Sequence, residues 1–154
     1  MATHSNRQLC TFYIDGMLFG VDVMNVQEVI RYQQMTSVPL ASAMVRGLIN
    51  LRGQIVTAIE MRARLNLTPR KTDELPMNVV VTTSEGVVSL LVDEIGDVLQ
   101  VDERTFERAP EALVSAFGEL VPGVFKLDGQ LLLLLDAEKV AALGAAAGRS
   151  KAAA

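Results

Sequence analysis

Few side chains in this chain have the type and spacing that covalent chemistry needs. The only histidine, His4, sits in a polar N-terminal stretch, so no histidine-based triad, general base or histidine-rich metal site can be built on it. The only cysteine, Cys10, precedes a strand-like run and reads as a structural thiol; alone, it forms no intramolecular disulfide, which fits a reducing cytoplasm. Gly47 and Gly53 do not make a phosphate loop, because Gln54 and Ile55 stand where Lys and Ser or Thr are required. Carboxylates cluster at Asp93, Glu94 and Asp97, and again at Asp102 and Glu103. A hard cation could use such groups, but their spacing matches no calcium loop, and solvated strand edges and loop caps account for them. No catalytic residue, no cofactor site and no metal site is expected, and an interaction module is the better class.

Five residues bear on interaction. Arg52 stands at the polar tip between two apolar runs, where its guanidinium could pair with a carboxylate inside the fold or on a partner. Glu28 lies inside an apolar segment with Val26, Val29 and Ile30; it is either an ordinary exposed acid or a polar handle on an apolar interface. Ile95 and Val98 occupy the matching place in a second copy of that segment, with plain core as the competing reading.

The elements that must hold these residues are mostly strands. Leu9–Ile14 and Leu18–Val23 read as a hairpin around Asp15-Gly16, and Met77–Thr83 and Val87–Val92 as another around Ser84-Glu85-Gly86. Val45–Leu65 holds a third, with its tip at Arg52-Gly53; Val121–Leu127 and Gln130–Leu135 form a fourth around Asp128-Gly129. Met24–Ile30 reads as a helical turn or bend and then extended chain, and Asp93–Val101 as extended with a break at Gly96. Asp102–Pro110 reads as a polar turn or helical turn and Glu111–Glu119 as loop or weak helix. Short helices are expected over Ala41–Arg46 and Glu60–Leu67, the latter ended by Pro69, and an Ala-rich helix from Ala137. Residues 1–8 and 144–154 read as disordered N-terminus and flexible tail.

The chain of 154 residues is half apolar, only 5% aromatic and has no Trp, so its core must be aliphatic. The net charge of −4 argues against nucleic-acid binding, which needs a basic face. The basic residues Arg62, Arg64, Arg70 and Lys71 read as a solvated helix face and loop. The longest apolar run, Leu131–Leu135, is far short of the roughly 20 residues of a membrane helix. A soluble cytoplasmic protein without membrane insertion is expected. The run's five leucines exceed what one buried face needs and predict a strand buried on both faces.

The chain is written twice. GLINLRGQIVTAI lies on GVFKLDGQLLLLL, with Gly47 on Gly123, Leu51 on Leu127, Gly53 on Gly129 and Gln54 on Gln130. An acid follows each, Glu60 and Asp136. VMNVQEVI lies on VDEIGDVL, with Val26 on Ile95, Glu28 on Asp97 and Val29 on Val98. Two units of about five strands, too small to be stable singly, would share one aliphatic core and leave a groove between them. Arg52 is what the second copy lacks: Asp128 stands in its place.

With those motifs, the chain resembles the CheW-like coupling proteins of bacterial chemotaxis. The likeness rests on FGVDVMNVQEVIRY (19–32), VRGLINLRGQIVTAIEMRARL (45–65), VVSLLVDEIGDVLQV (87–101), FERAPE (106–111) and GVFKLDGQLLLLLD (123–136). It implies a mainly β fold of two SH3-like five-stranded β-barrels around a shared aliphatic core, one domain over 9–143 with subdomains near 9–70 and 76–136 between which strands can exchange. It implies a non-catalytic adaptor linking chemoreceptor cytoplasmic tips to the regulatory domain of a CheA-type histidine kinase, recruited to receptor arrays at the inner face of the membrane. Carried over by position, Val26, Glu28, Arg52, Ile95 and Val98 match places tied to receptor-tip binding or to the groove's integrity. Thr57 departs from the family's frequent Pro and Glu60 from its Asp, and the Ala-rich tail from Ala141 is unmatched and expected to be dispensable. A coupling protein for pilus motility or second-messenger control is the alternative within the family; a small-ligand sensor or enzyme using the groove is the rival outside it.

Overall fold

The computed structural model describes residues 6–142. Within them the chain is mainly β. The first hairpin, β1 (Asn6–Ile14) and β2 (Met17–Asp22), turns at Asp15 and Gly16 with φ of 52° and 78°. Both values are left-handed, the geometry whose twist matches paired strands. A 3-10 turn leads to β3 (Val26–Ile30), then β4 (Val45–Leu51), β5 (Gln54–Glu60) and the short helix α1 (Met61–Arg64). The second half repeats the pattern: β6 (Met77–Thr83), β7 (Gly86–Val92), β8 (Glu94–Asp102), β9 (Phe106–Arg108), helix α2 (Glu111–Phe117), β10 (Gly123–Leu127) and β11 (Gln130–Leu134). Residues 137–142 form α3.

The sheets do not follow the halves of the sequence. One runs β8-β1-β2-β11-β10-β9 and the other β3-β6-β7-β5-β4. The N-terminal hairpin therefore sits among strands of the second half, and the β6–β7 hairpin among strands of the first. Both sheets place their one parallel contact at the same point, β11 against β2 and β5 against β7. Neither ladder closes on itself.

Three apolar clusters follow from this layering. Phe12, Phe19, Ile59, Val79, Leu90 and Leu133 lie in the core between the sheets. Leu9, Leu18, Val101, Phe125, Leu132 and Leu134 fill the outer face of the six-stranded sheet, and Ile49, Leu51, Val56, Ala58, Val80 and Leu91 that of the five-stranded one. Successive residues of β11 enter different clusters, so the leucine run is buried on both faces, as expected; Leu131 alone of the five is exposed.

Several expectations are corrected. Asn6–Gln8 are not disordered but open β1, paired with Asp102, Val101 and Gln100 of β8. No helix forms over 41–46: the Ser42 hydroxyl accepts from the Met44 N–H at 3.3 Å, a local bond that competes with helix, and Val45 already pairs with Ile59. The helix at Glu60–Leu67 is only four residues long, because Asn66 adopts φ of 59° and ends it. Phe106–Arg108 is a strand rather than a turn, held by Phe106 packing edge-on against Phe125 at 5.4 Å. That edge strand makes the first sheet six-stranded.

Candidate partner-binding site

The hairpin tip at Arg52 is fixed before its side chain is considered. Arg52 and Gly53 have φ of 51° and 88°, and the Asn50 side chain accepts from the Gly53 N–H at 2.9 Å. Arg52 thus holds a left-handed backbone that a non-glycine residue adopts at a cost. Its guanidinium forms an ion pair with the Glu28 carboxylate on β3. Since β3 is one margin of the five-stranded sheet and the β4–β5 hairpin the other, this pair spans the sheet's two margins. The guanidinium's hydrogen bond holds Glu28 below the usual carboxylate range, against a smaller opposing effect of burial; the same bond raises Arg52. Arg52 is the open partner, with a side chain 75% exposed against 18% for Glu28.

Of the five residues named from the sequence, the structure joins these two directly. Val26 shares β3 with Glu28, with a register irregularity between them, and packs half-buried against the inter-sheet core. Ile95 does the same from β8, in the other sheet. The aligned pair Val26 and Ile95 is therefore equivalent in space as well as in sequence. Val98 departs from its aligned Val29: it is 55% exposed, whereas Val29 packs on the core.

Sequence reasoning missed a second cluster. Arg62 grips Asp93 with two hydrogen bonds, Nε to Oδ1 at 3.1 Å and Nη2 to Oδ2 at 2.7 Å. Arg70 donates to the same carboxylate at 2.7 Å and also pairs with Glu60, while the Asp15 N–H donates to Asp93 at 2.7 Å. Burial raises the Asp93 pKa; the Arg62 bonds, the Asp15 N–H and Arg70 outweigh it and hold the group at about 2. These are the residues read as a solvated basic face and a solvated strand edge. Instead they tie the β1–β2 turn, the β7–β8 junction and α1 together, and Arg70 keeps only 5% of its side chain exposed. The one signal in the sequence was the repeated acid: Glu60 caps α1 by accepting from the Arg62 N–H, and Asp136 accepts from the Lys139 N–H at 3.1 Å in α3.

The C-terminal helix is held from three sides. Arg64 donates to the Lys139 and Val140 carbonyl oxygens at 3.2 and 3.5 Å, Glu138 accepts from the Ser84 hydroxyl at 2.6 Å, and Lys139 pairs with Glu119 at 3.2 Å. Val140 and Ala141 are fully buried. A tail dispensable from Ala141 is thus corrected; the rest of the tail lies outside the described residues.

Residues 8–144 match the family model described as the CheW-like domain. The chain belongs to the CheW-like family. A Thermotoga maritima protein named chemotaxis protein CheW is 31% identical over 135 residues, covering 86% of this chain and 86% of that relative. A Klebsiella aerogenes protein of the same name is 30% identical over 134 residues, covering 87% and 81%. The crystal structure of the scaffolding protein TtCheW from Thermoanaerobacter tengcongensis superposes with a TM-score of 0.80 at 24% identity, covering 88% of this chain and 92% of that one, a likeness of fold. Among the described residues of this CheW-like chain, no helix is long and apolar enough to cross a membrane.

Proposed function

We propose that this chain is a non-catalytic chemotaxis adaptor that couples chemoreceptor cytoplasmic tips to the regulatory domain of a CheA-type histidine kinase. The observation that carries this reading is the family match across residues 8–144, with relatives named chemotaxis protein CheW over nearly the same span. In this reading each sheet is the wall of an SH3-like barrel, and the Glu28–Arg52 pair is the pin across the open side of one of them. The receptor-facing surface comprises Val26, Glu28, Arg52, Ile95 and Val98. Glu28 holds one side of the exposed guanidinium, which leaves N–H donors for a carboxylate on a receptor helix. Val98 offers exposed apolar area, and Val26 and Ile95 are half-buried apolar residues anchored on the inter-sheet core. The protein works in the cytoplasm, recruited to receptor arrays at the membrane's inner face.

The experiment is a pull-down with a receptor signalling tip and, separately, with the kinase regulatory domain. Both are expected to retain the chain, and Val98→Asp is expected to weaken the receptor tip selectively. No retention by either at tens of micromolar would sink the reading.

A further inference from the structure

A pocket of about 420 Å³ lies where α1, α2 and α3 converge, away from all five residues of the proposed adaptor surface. Its walls include the buried Leu65, Phe117 and Leu120, with Ala116 at the rim and Ala142 beside it. Asn66 and the Lys139–Glu119 ion pair, joined at 3.2 Å, also line it from the solvent side, and Arg64 is the one charged side chain buried in its wall. Arg64 is 92% buried (8% exposed), and its bonds go to the backbone carbonyls of Lys139 and Val140, through Nε and Nη2. Among the described residues no carboxylate pairs with it, and burial lowers its pKa without a counter-charge to offset the cost. Nη1 has no hydrogen-bond partner, yet no buried polar atom is left sealed off without one. Nη1 is therefore open to the pocket that Arg64 lines. A fixed guanidinium with free N–H groups at one side of an apolar cavity is complementary to one chemistry: a carboxylate carrying a short hydrocarbon chain.

The geometry points to this pocket as a binding site for a small amphipathic carboxylate of the medium-chain fatty-acid class, its head on Arg64 Nη1 and its chain over Leu65, Phe117 and Leu120. The helix carbonyls orient the guanidinium before the ligand arrives, so little side-chain freedom remains to be lost on binding. Because α3 supplies both the Arg64 acceptors and part of the wall, an occupied pocket would also brace α3 against the two sheets.

The test is an amide-shift titration of the full chain with hexanoate, octanoate and decanoate. Saturable shifts confined to α1, α2 and α3 are expected, tightening about fourfold per added methylene, the value of one buried CH₂. Neutral octanol should bind about tenfold more weakly than octanoate, the worth of one charge-assisted hydrogen bond. Arg64→Gln should erase that preference, and Ala116→Trp, at the exposed rim, should block octanoate with the melting temperature kept. Octanoate failing to bind the full chain, octanol binding equally well, or undiminished octanoate binding by Ala116→Trp would each overturn the proposal. So would binding that appears only in a chain shortened after Ala142, which would give the pocket to the chain's own Ala-rich segment.

Discussion

Arg52 occupies a backbone conformation that glycine adopts freely, and it does so at the one tip position where the repeated hairpin carries Asp128 instead. Its side chain is what this position keeps at that cost. Arg52→Gly is therefore expected to relieve backbone strain while removing the pair with Glu28. The thermal midpoint should stay close to the parent while receptor-tip affinity falls, most visibly as faster dissociation in a surface-binding assay; parallel loss of both would refute a binding role. Asp93 belongs to the same scale but to stability. Its pKa is depressed in the fold from an ordinary 3.8 to about 2, so its contribution is present above the unfolded value and is lost as pH falls through the folded one. Denaturant titrations between pH 5 and pH 2 should show about 2 kcal/mol disappearing across that window, and Asp93→Asn should flatten the loss. The sequence marked Arg52 as an interaction residue without naming its carboxylate partner, and it did not mark Asp93 for stability. Arg52 stood out only because the second copy lacks it, and Asp93 looked like any acid at a strand end because Arg62 and Arg70 reach it from well before it in the chain.

At the scale of elements, the repeat was legible and its physical cause is now plain. Gly47 and Gly123 are equivalent because a crossing segment lies on each. A Cβ at Gly47 would come within 2.6 Å of the Thr36 carbonyl oxygen, and one at Gly123 would overlap the Phe106 ring and the Glu107 carbonyl oxygen. Alanine at either position must push backbone aside, at about 2 kcal/mol, and the cost at Gly123 should be the greater because two groups obstruct it. Chemical denaturation of the two variants checks the order. The strands themselves were readable from alternation and turn residues; β9 was not, because Phe106 is a single apolar residue among charges and only its partner Phe125 explains it. The helix at the end was readable as helix but not as necessary. Val140 is fully buried between the sheets, and Val140→Ala should cost about 2 kcal/mol in the same assay.

At the scale of the whole molecule, what the sequence could not say is which strand lies beside which. Alternating apolar residues specify a strand and its buried face, but the same pattern is satisfied whether a hairpin stays with its own half or crosses to the other. Here it crosses in both directions, β1–β2 into the second half's strands and β6–β7 into the first half's. Each half alone would expose the margins that the other's hairpin covers. The fragment ending at Thr72 would hold β1–β2 without β8 and β11, and β4–β5 without β7. Loss of those ladders leaves isolated hairpins, which are marginal in water. A chain cut between Thr72 and Asp73, in the loop joining the halves, should therefore give two fragments that each lack protected amides in hydrogen exchange. Mixed, they should recover protection in β1, β2, β6 and β7 together, since neither exchange of hairpins can be completed without the other. The intact chain should correspondingly unfold in one step, with amides of both sheets losing protection at the same denaturant concentration. A fragment that folds alone, or one sheet that opens well before the other, would mean that the inter-sheet core is an interface between independent units rather than their common interior.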